Sequence, residues 1–169
     1  MLTYAAYRAM GGLEGAIAHR AEAVFISLPP AAQNSLDCVL SQLIVVQEDS
    51  DIVSGSHPFI DAFDDNANML IQAFIAARLF ASERGDKRPR FGVTHEALLR
   101  RWPRAEEWSK NNRRLLEARS ELQKAANRWE KEGRRKDHLL NPGRPLIDAL
   151  EASRATNVPM TEEESDFLK

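Results

Sequence analysis

The side chains that could do chemistry in this chain are four histidines, one cysteine and a few runs of acids. His19, His57, His95 and His138 lie far apart, and none has a second histidine or a cysteine three or four residues away. A local zinc motif is therefore absent. Cys38 is alone in an apolar helical pattern, so it can form no internal disulfide and reads as a packing residue in a reducing compartment. Asp64-Asp65 and Glu162-Glu163-Glu164 fall at helix starts, where the helix dipole alone explains acids. There is no phosphate-cradling P-loop, and no serine or cysteine sits on a nucleophile elbow. The expectation is a chain that is not itself an enzyme, with no catalytic residue, no metal site and no cofactor of its own. What remains is His95, in "GVTHEALLRRWPR", at the junction where a strand gives way to a basic, apolar helix start.

The elements around it follow from periodicity. Residues 3–10 predict a short helix that Gly11-Gly12 stops. Residues 13–28 predict a second, with Ile17, Ala21, Val24, Phe25 and Leu28 at helical spacing and Pro29-Pro30 as its end. Residues 31–43 predict a third, with Leu36, Val39, Leu40 and Leu43 on one face, running into a short strand, Ile44-Val45-Val46. Residues 49–58 are polar and read as a loop, and "HPFIDAF" as a helical turn. Asp64-Asp65-Asn66 offers N-caps for a helix over 67–79. "LFASE" and "RFGVT", flanking "RGDKRP", predict a β-hairpin. Helix, turn, helix and hairpin in that order is the order of a winged helix.

Beyond Thr94 the pattern is helical to the end. Residues 96–101 predict a short helix, with Thr94 as its cap, that Pro103 kinks or restarts. Residues 104–132 predict one long helix with Trp108, Leu115, Leu122 and Trp129 recurring every seven residues, a narrow seam of the coiled-coil kind. Residues 145–155 supply a returning partner, and Thr161 with Glu164 a capping box for a last helix. Trp102, Trp108 and Trp129 read as linker core. The expected fold class is mainly α: a winged helix-turn-helix with a β-hairpin, followed by an antiparallel helical linker bundle.

Charge separates the two halves. Residues 1–80 carry 3 basic and 9 acidic side chains, whereas residues 84–136 carry 17 basic and 8 acidic. Such a split suits nucleic acid, or two faces that dock within one larger molecule. The helix that would read DNA, "ANMLIQAFIAARL", speaks against the first. Arg78 is its only charge, Asp64 and Asp65 precede it, and groove reading needs polar and basic side chains. No apolar run approaches the ~20 residues of a membrane helix, and the N-terminus lacks a secretory pattern. A cytoplasmic setting without membrane contact is expected.

The segments "LTYAAYRAMGGLEGAIAHRAEAVF", "LIQAFIAARLF", "VTHEALLRRWPRAEEW" and "MTEEESDFL" resemble a family of bacterial STAND-type signalling ATPases. The family carries a P-loop ATPase module, a winged helix, a helical linker and often a WD-repeat propeller. The resemblance implies a middle piece: residues 1–28 as the end of ATPase lid-like helices, 29–95 as the winged-helix domain and 96–169 as the helical linker. The partners it implies are an upstream ATPase domain and a downstream repeat domain of the same protein, with ADP or ATP bound in the full-length protein. In related plant and animal STAND proteins a Met-His-Asp motif opens a helix after a winged-helix strand, and its histidine contacts the β-phosphate of ADP. Thr94-His95-Glu96 has a similar place, with Thr94 standing where the motif has methionine. The resemblance thus implies nucleotide sensing by His95 and Thr94, helped by the phosphate-attracting N-terminus of the helix that follows. "GGLEGAI" is similar to the family's Gly-x-Pro lid motif, except that Glu14 stands where the proline would be.

Three readings stay open at this point. The first is a regulatory piece that couples nucleotide state to a downstream sensor. The second is a stand-alone winged-helix DNA-binding transcriptional regulator. The third is an interaction module whose seam pairs with another chain. For His95 the structural reading, a ring that bonds a nearby backbone carbonyl at a helix start, stands beside the sensing one.

Overall fold

The computed structural model describes residues 4–9, 11–46, 53–84, 88–131 and 133, together with 147, 148, 151 and 154. Among them the chain is mainly helical, with two small two-stranded antiparallel sheets.

Helix α1 (Tyr4–Ala9) ends where Gly11 and Gly12 take left-handed φ values of 81° and 69°, which L side chains adopt at a steric cost. Helix α2 (Gly12–Ser27) buries Ala21 and Phe25 and then stops at the Pro29-Pro30 pair. Its last carbonyls, orphaned by the helix end, are satisfied from outside: the Gln33 side-chain amide donates to the carbonyls of Phe25 and Leu28, at 3.2 and 2.9 Å. Pro30 does more than break. It occupies the first turn of α3 (Pro30–Gln33), where its missing N–H loses nothing.

The helix expected over residues 31–43 is in fact two, α3 and α4 (Leu36–Leu43). Asn34-Ser35 tightens the backbone between them: the Ser35 N–H bonds to Ala32 three residues back, and its hydroxyl donates to the Ala31 carbonyl. Short polar side chains that compete for local backbone groups cause such interruptions. The apolar face survives the break, since Leu36, Val39, Leu40 and Leu43 are all buried.

Strand β1 (Ile44–Val46) follows at once and pairs antiparallel with β2 (Val53–Gly55), in the register Ile44 to Gly55. The expected loop 49–58 therefore contains a strand. Three residues, two of them Ser and Gly, are too few to show an alternating pattern. A 3₁₀ turn (Ile60–Ala62) matches the turn expected in "HPFIDAF". Asp64 caps α5 (Asp65–Ala76), its carboxylate accepting from the Ala67 N–H at 2.8 Å. That helix stops three residues short of the expected 79. Strands β3 (Phe80–Arg84) and β4 (Pro89–Val93) form the expected hairpin, in the register Phe80 to Val93.

Helix α6 (Ala97–Arg101) and helix α7 (Pro103–Asn111) meet at Trp102, whose backbone is extended at φ −74°, ψ 116°. Steric conflict with the Pro103 ring forbids helical geometry at the residue before it. The expected long helix 104–132 breaks again at Asn112, so that α8 (Arg113–Lys131) is separate. The break resets the heptad phase. Trp108, Leu115 and Trp129 are only half-buried, and α8 turns Leu116 into the main core and Leu122 with Ala126 into a small second cluster. Helix α8 also reaches back across the fold, where the Arg119 guanidinium donates to the Ser41 carbonyl at 3.2 Å. The returning segment 145–155 is described only at 147, 148, 151 and 154, all helical. The capped last helix from Thr161 lies outside the described residues.

One core of buried side chains runs from Ala21 to Leu116. Its spine is aromatic. Phe25 meets Trp102 edge-on at 5.8 Å, Trp102 meets Phe74 at 5.5 Å, Phe74 meets Phe80 at 5.0 Å, and Phe80 meets Phe91 at 5.4 Å. Trp102, expected in a linker core, thus lies at the centre of the main core, 1 % exposed. Trp102→Ala is expected to destabilise the fold by about 3–5 kcal/mol, the cost of removing a large buried aromatic. Asp64→Ala should cost only about 1 kcal/mol, a lost cap. Urea denaturation of the two variants checks both the size and the order of these effects.

Candidate functional site

His95 is positioned by the end of α5 and the open end of the hairpin. Helix α5 terminates in a Schellman arrangement: the Arg78 N–H bonds to Ile75 and the Leu79 N–H to Phe74, both at 2.9 Å. This motif demands a left-handed residue, commonly glycine, and here the residue is Arg78, at φ 62°. Among the described residues it is the only non-glycine with positive φ. An L side chain in that region costs roughly 1–2 kcal/mol. Nothing in "AARLF" signals this, because a sequence announces a left-handed cap by glycine or asparagine.

Across the hairpin the Thr94 N–H donates to the Leu79 carbonyl at 2.9 Å, carrying the ladder one step past β3 and β4. The Thr94 hydroxyl donates to the Arg78 carbonyl at 3.0 Å. Thr94 is therefore an anchor between the two chains of the hairpin mouth. It does not cap α6, as expected from the sequence: the cap position belongs to Glu96, which makes no side-chain capping bond. The hydroxyl is already committed to Arg78, and His95 and Glu96 start the helix with 3₁₀-type bonds to Leu98 and Leu99.

His95 is exposed, and among the described residues its ring has no hydrogen-bond partner. The carbonyl bond that the structural reading requires is thus not made by any described residue. The neighbouring carboxylate, Glu96, is held by Arg100 at 2.7 Å and so is not drawn to the imidazole. The expected help from a helix dipole is slight, since α6 has five residues and the dipole of a helix scales with its aligned peptides.

A second polar cluster ties the N-terminal helix to the segment that follows His95. The Trp102 indole N–H donates to the Glu22 carboxylate at 2.8 Å, and Arg104 binds the same carboxylate from Nε and Nη2 at 2.8 and 2.7 Å. The Arg104 guanidinium also lies 4.4 Å over the Phe25 ring. A parallel ion pair joins Arg101 to Glu14 at 2.7 Å. The hydrogen bonds from Arg104 hold the Glu22 carboxyl below its ordinary range, against the opposing effect of burial. Residues 22 and 104 are too far apart in sequence for any local pattern to reveal the pair.

Cys38 is half-buried, and burial pushes its thiol up, away from a nucleophilic thiolate. Among the described residues no group of three or more His, Cys, Asp or Glu could hold a metal ion. The exposed stripe of α5 is Asp65, Met69, Gln72 and Ala76, without a cation. On the hairpin, Arg88 and Arg90 both stack on Phe59 at 4.2 Å, and Arg88 is bonded to Asp61. No described helix is long and apolar enough to cross a membrane.

The family model of novel STAND NTPase 1 matches residues 1–137, and the chain belongs to that family. No curated protein and no solved structure matches it.

The Glu22 cluster carries a pH signature. Its folded pKa is lowered, so its contribution is present above the unfolded value and lost as pH falls through the folded one. Stability should fall on acidification below the ordinary glutamate range of about 4.3. In Glu22→Gln that part of the acid dependence should disappear, with a loss of about 1 kcal/mol at neutral pH. Denaturation midpoints of both proteins, measured from pH 7 to pH 3, check the two effects.

Proposed function

We propose that this chain is the non-catalytic regulatory portion of a STAND-type signalling ATPase, coupling the nucleotide state of an upstream ATPase domain to a downstream sensor or repeat domain of the same protein. In this reading residues 1–28 end the ATPase lid, residues 29–95 are a winged helix and residues 96–169 are a helical linker. Helix α4, the 3₁₀ turn, α5 and the hairpin follow in the order such a domain needs, which supports the assignment. The upstream domain holds ADP or ATP, and this chain, which has no P-loop, adds a sensing contact. A cytoplasmic setting without membrane contact goes with the single unpaired cysteine.

The observation that carries the reading is the placement of His95. Its ring is exposed and without a partner among the described residues, one position beyond the doubly bonded Thr94. A ring held so can donate to the β-phosphate of ADP and favour the closed state. The continuous core from Ala21 to Leu116 supports movement of this piece as one body when that contact is lost.

The competing reading, a stand-alone DNA-binding regulator, rests on the basic stretch 84–136. The exposed stripe of α5, which carries no cation, opposes it. Its binding would weaken steeply with salt, and absence of binding at low salt removes it.

Two measurements test the proposal. The native protein, detected in its source cells with an antibody against this chain, should be far heavier than 169 residues. In that intact protein His95→Ala should speed ADP loss about tenfold, the worth of one charge-assisted hydrogen bond. Equal retention of ADP by both proteins would refute the sensing role.

A further inference from the structure

We infer that Arg78 joins His95 in one subsite, and that the two together take the diphosphate end of a nucleoside diphosphate. The inference rests on the sensing role proposed for His95 and adds a residue that the family motif does not contain.

The hairpin mouth brings the backbone at Arg78 against Thr94, the residue before His95. The register pairs Phe80 with Val93, and the Thr94–Leu79 bond adds one more rung. One step further out, Arg78 stands on one chain and His95 on the other, and the Thr94 hydroxyl fastens the Arg78 carbonyl. Both residues are exposed, and neither has a side-chain hydrogen bond among the described residues. The nearest acid in sequence, Glu96, is occupied by Arg100.

The backbone is the second observation. Position 78 closes a Schellman motif at φ 62°, a place for glycine, yet it carries the bulkiest cation available. No bond of the guanidinium to any described residue offsets that strain. Non-glycine residues in the left-handed region cluster at ligand sites. The chemistry fits a diphosphate: arginine offers a planar fork of donors that matches paired phosphate oxygens, and a histidine beside it adds one directed N–H.

Glycine at position 78 separates the side chain from the backbone. Arg78→Gly removes the cation and suits the left-handed geometry. The 169-residue chain is titrated with inorganic pyrophosphate, binding is followed by the NMR shift of the His95 ring in wild type and Arg78→Gly and by calorimetry in His95→Ala, and urea denaturation is run on each. Arg78→Gly is expected to raise the folding equilibrium constant about threefold while weakening pyrophosphate at least fivefold. Arg78→Lys, which keeps the charge, should bind within about threefold of wild type. If Arg78→Gly binds as wild type while His95→Ala is weakened, the role of Arg78 is overturned and the sensing role of His95 stands. If wild type does not bind pyrophosphate, or neither variant is weakened, the shared subsite is overturned, and ADP retention by the intact protein decides the role of His95 separately. A less stable Arg78→Gly overturns the strain on which the inference depends.

Discussion

The fold depends on how Trp102 is buried. Pro103 denies Trp102 a helical backbone, which splits α6 from α7 and turns the indole inward, between Phe25 of α2 and Phe74 of α5. Burying an indole brings in a large apolar surface and one N–H that must find an acceptor. Glu22 is that acceptor, and a carboxylate half-withdrawn from water needs a cation in turn, which is Arg104. A single packing requirement therefore generates a bonded cluster between elements some eighty residues apart. It also makes α2 and α7 parts of one body.

From Trp102 the aromatic contacts continue through Phe74 to Phe80 and Phe91, and so into both strands of the hairpin. The hairpin mouth is consequently tied to the centre of the core. Leu79, buried at 5 % exposure, ends the Schellman turn on one side, and Thr94 bonds to it from the other. The exposed residues just outside that mouth, Arg78 and His95, are held by a rigid frame although neither is packed itself.

Helix α5 divides its faces between the core and an exterior without a cation. Its buried face, Ala67, Leu70, Ile71 and Phe74, feeds the core, and its outer stripe is acidic, apolar or neutral. The positive charge of the chain lies elsewhere, much of it committed to partners: Arg88 to Asp61, Arg100 to Glu96, Arg101 to Glu14 and Arg104 to Glu22. Three of these cations, Arg88, Arg101 and Arg104, pair with acids that lie outside residues 84–136.

Local patterns were enough for several parts of this protein. The helical spacing of Ala21, Phe25 and Leu28, the buried face of α4, the Asp64 cap and the hairpin with its turn-forming residues were all legible, because each is decided by neighbours within a few positions. Family membership was legible as well, in the order of whole segments and in Thr94-His95-Glu96. Tertiary structure alone decided the rest. Strand β2 exists because β1 offers it an edge. Thr94 serves Arg78 instead of α6 because the hairpin brings that carbonyl within reach. The left-handed Arg78 and the bonding of Glu22 to Trp102 and Arg104 have no local signature at all: they are set by contacts between segments that meet only once the chain has folded.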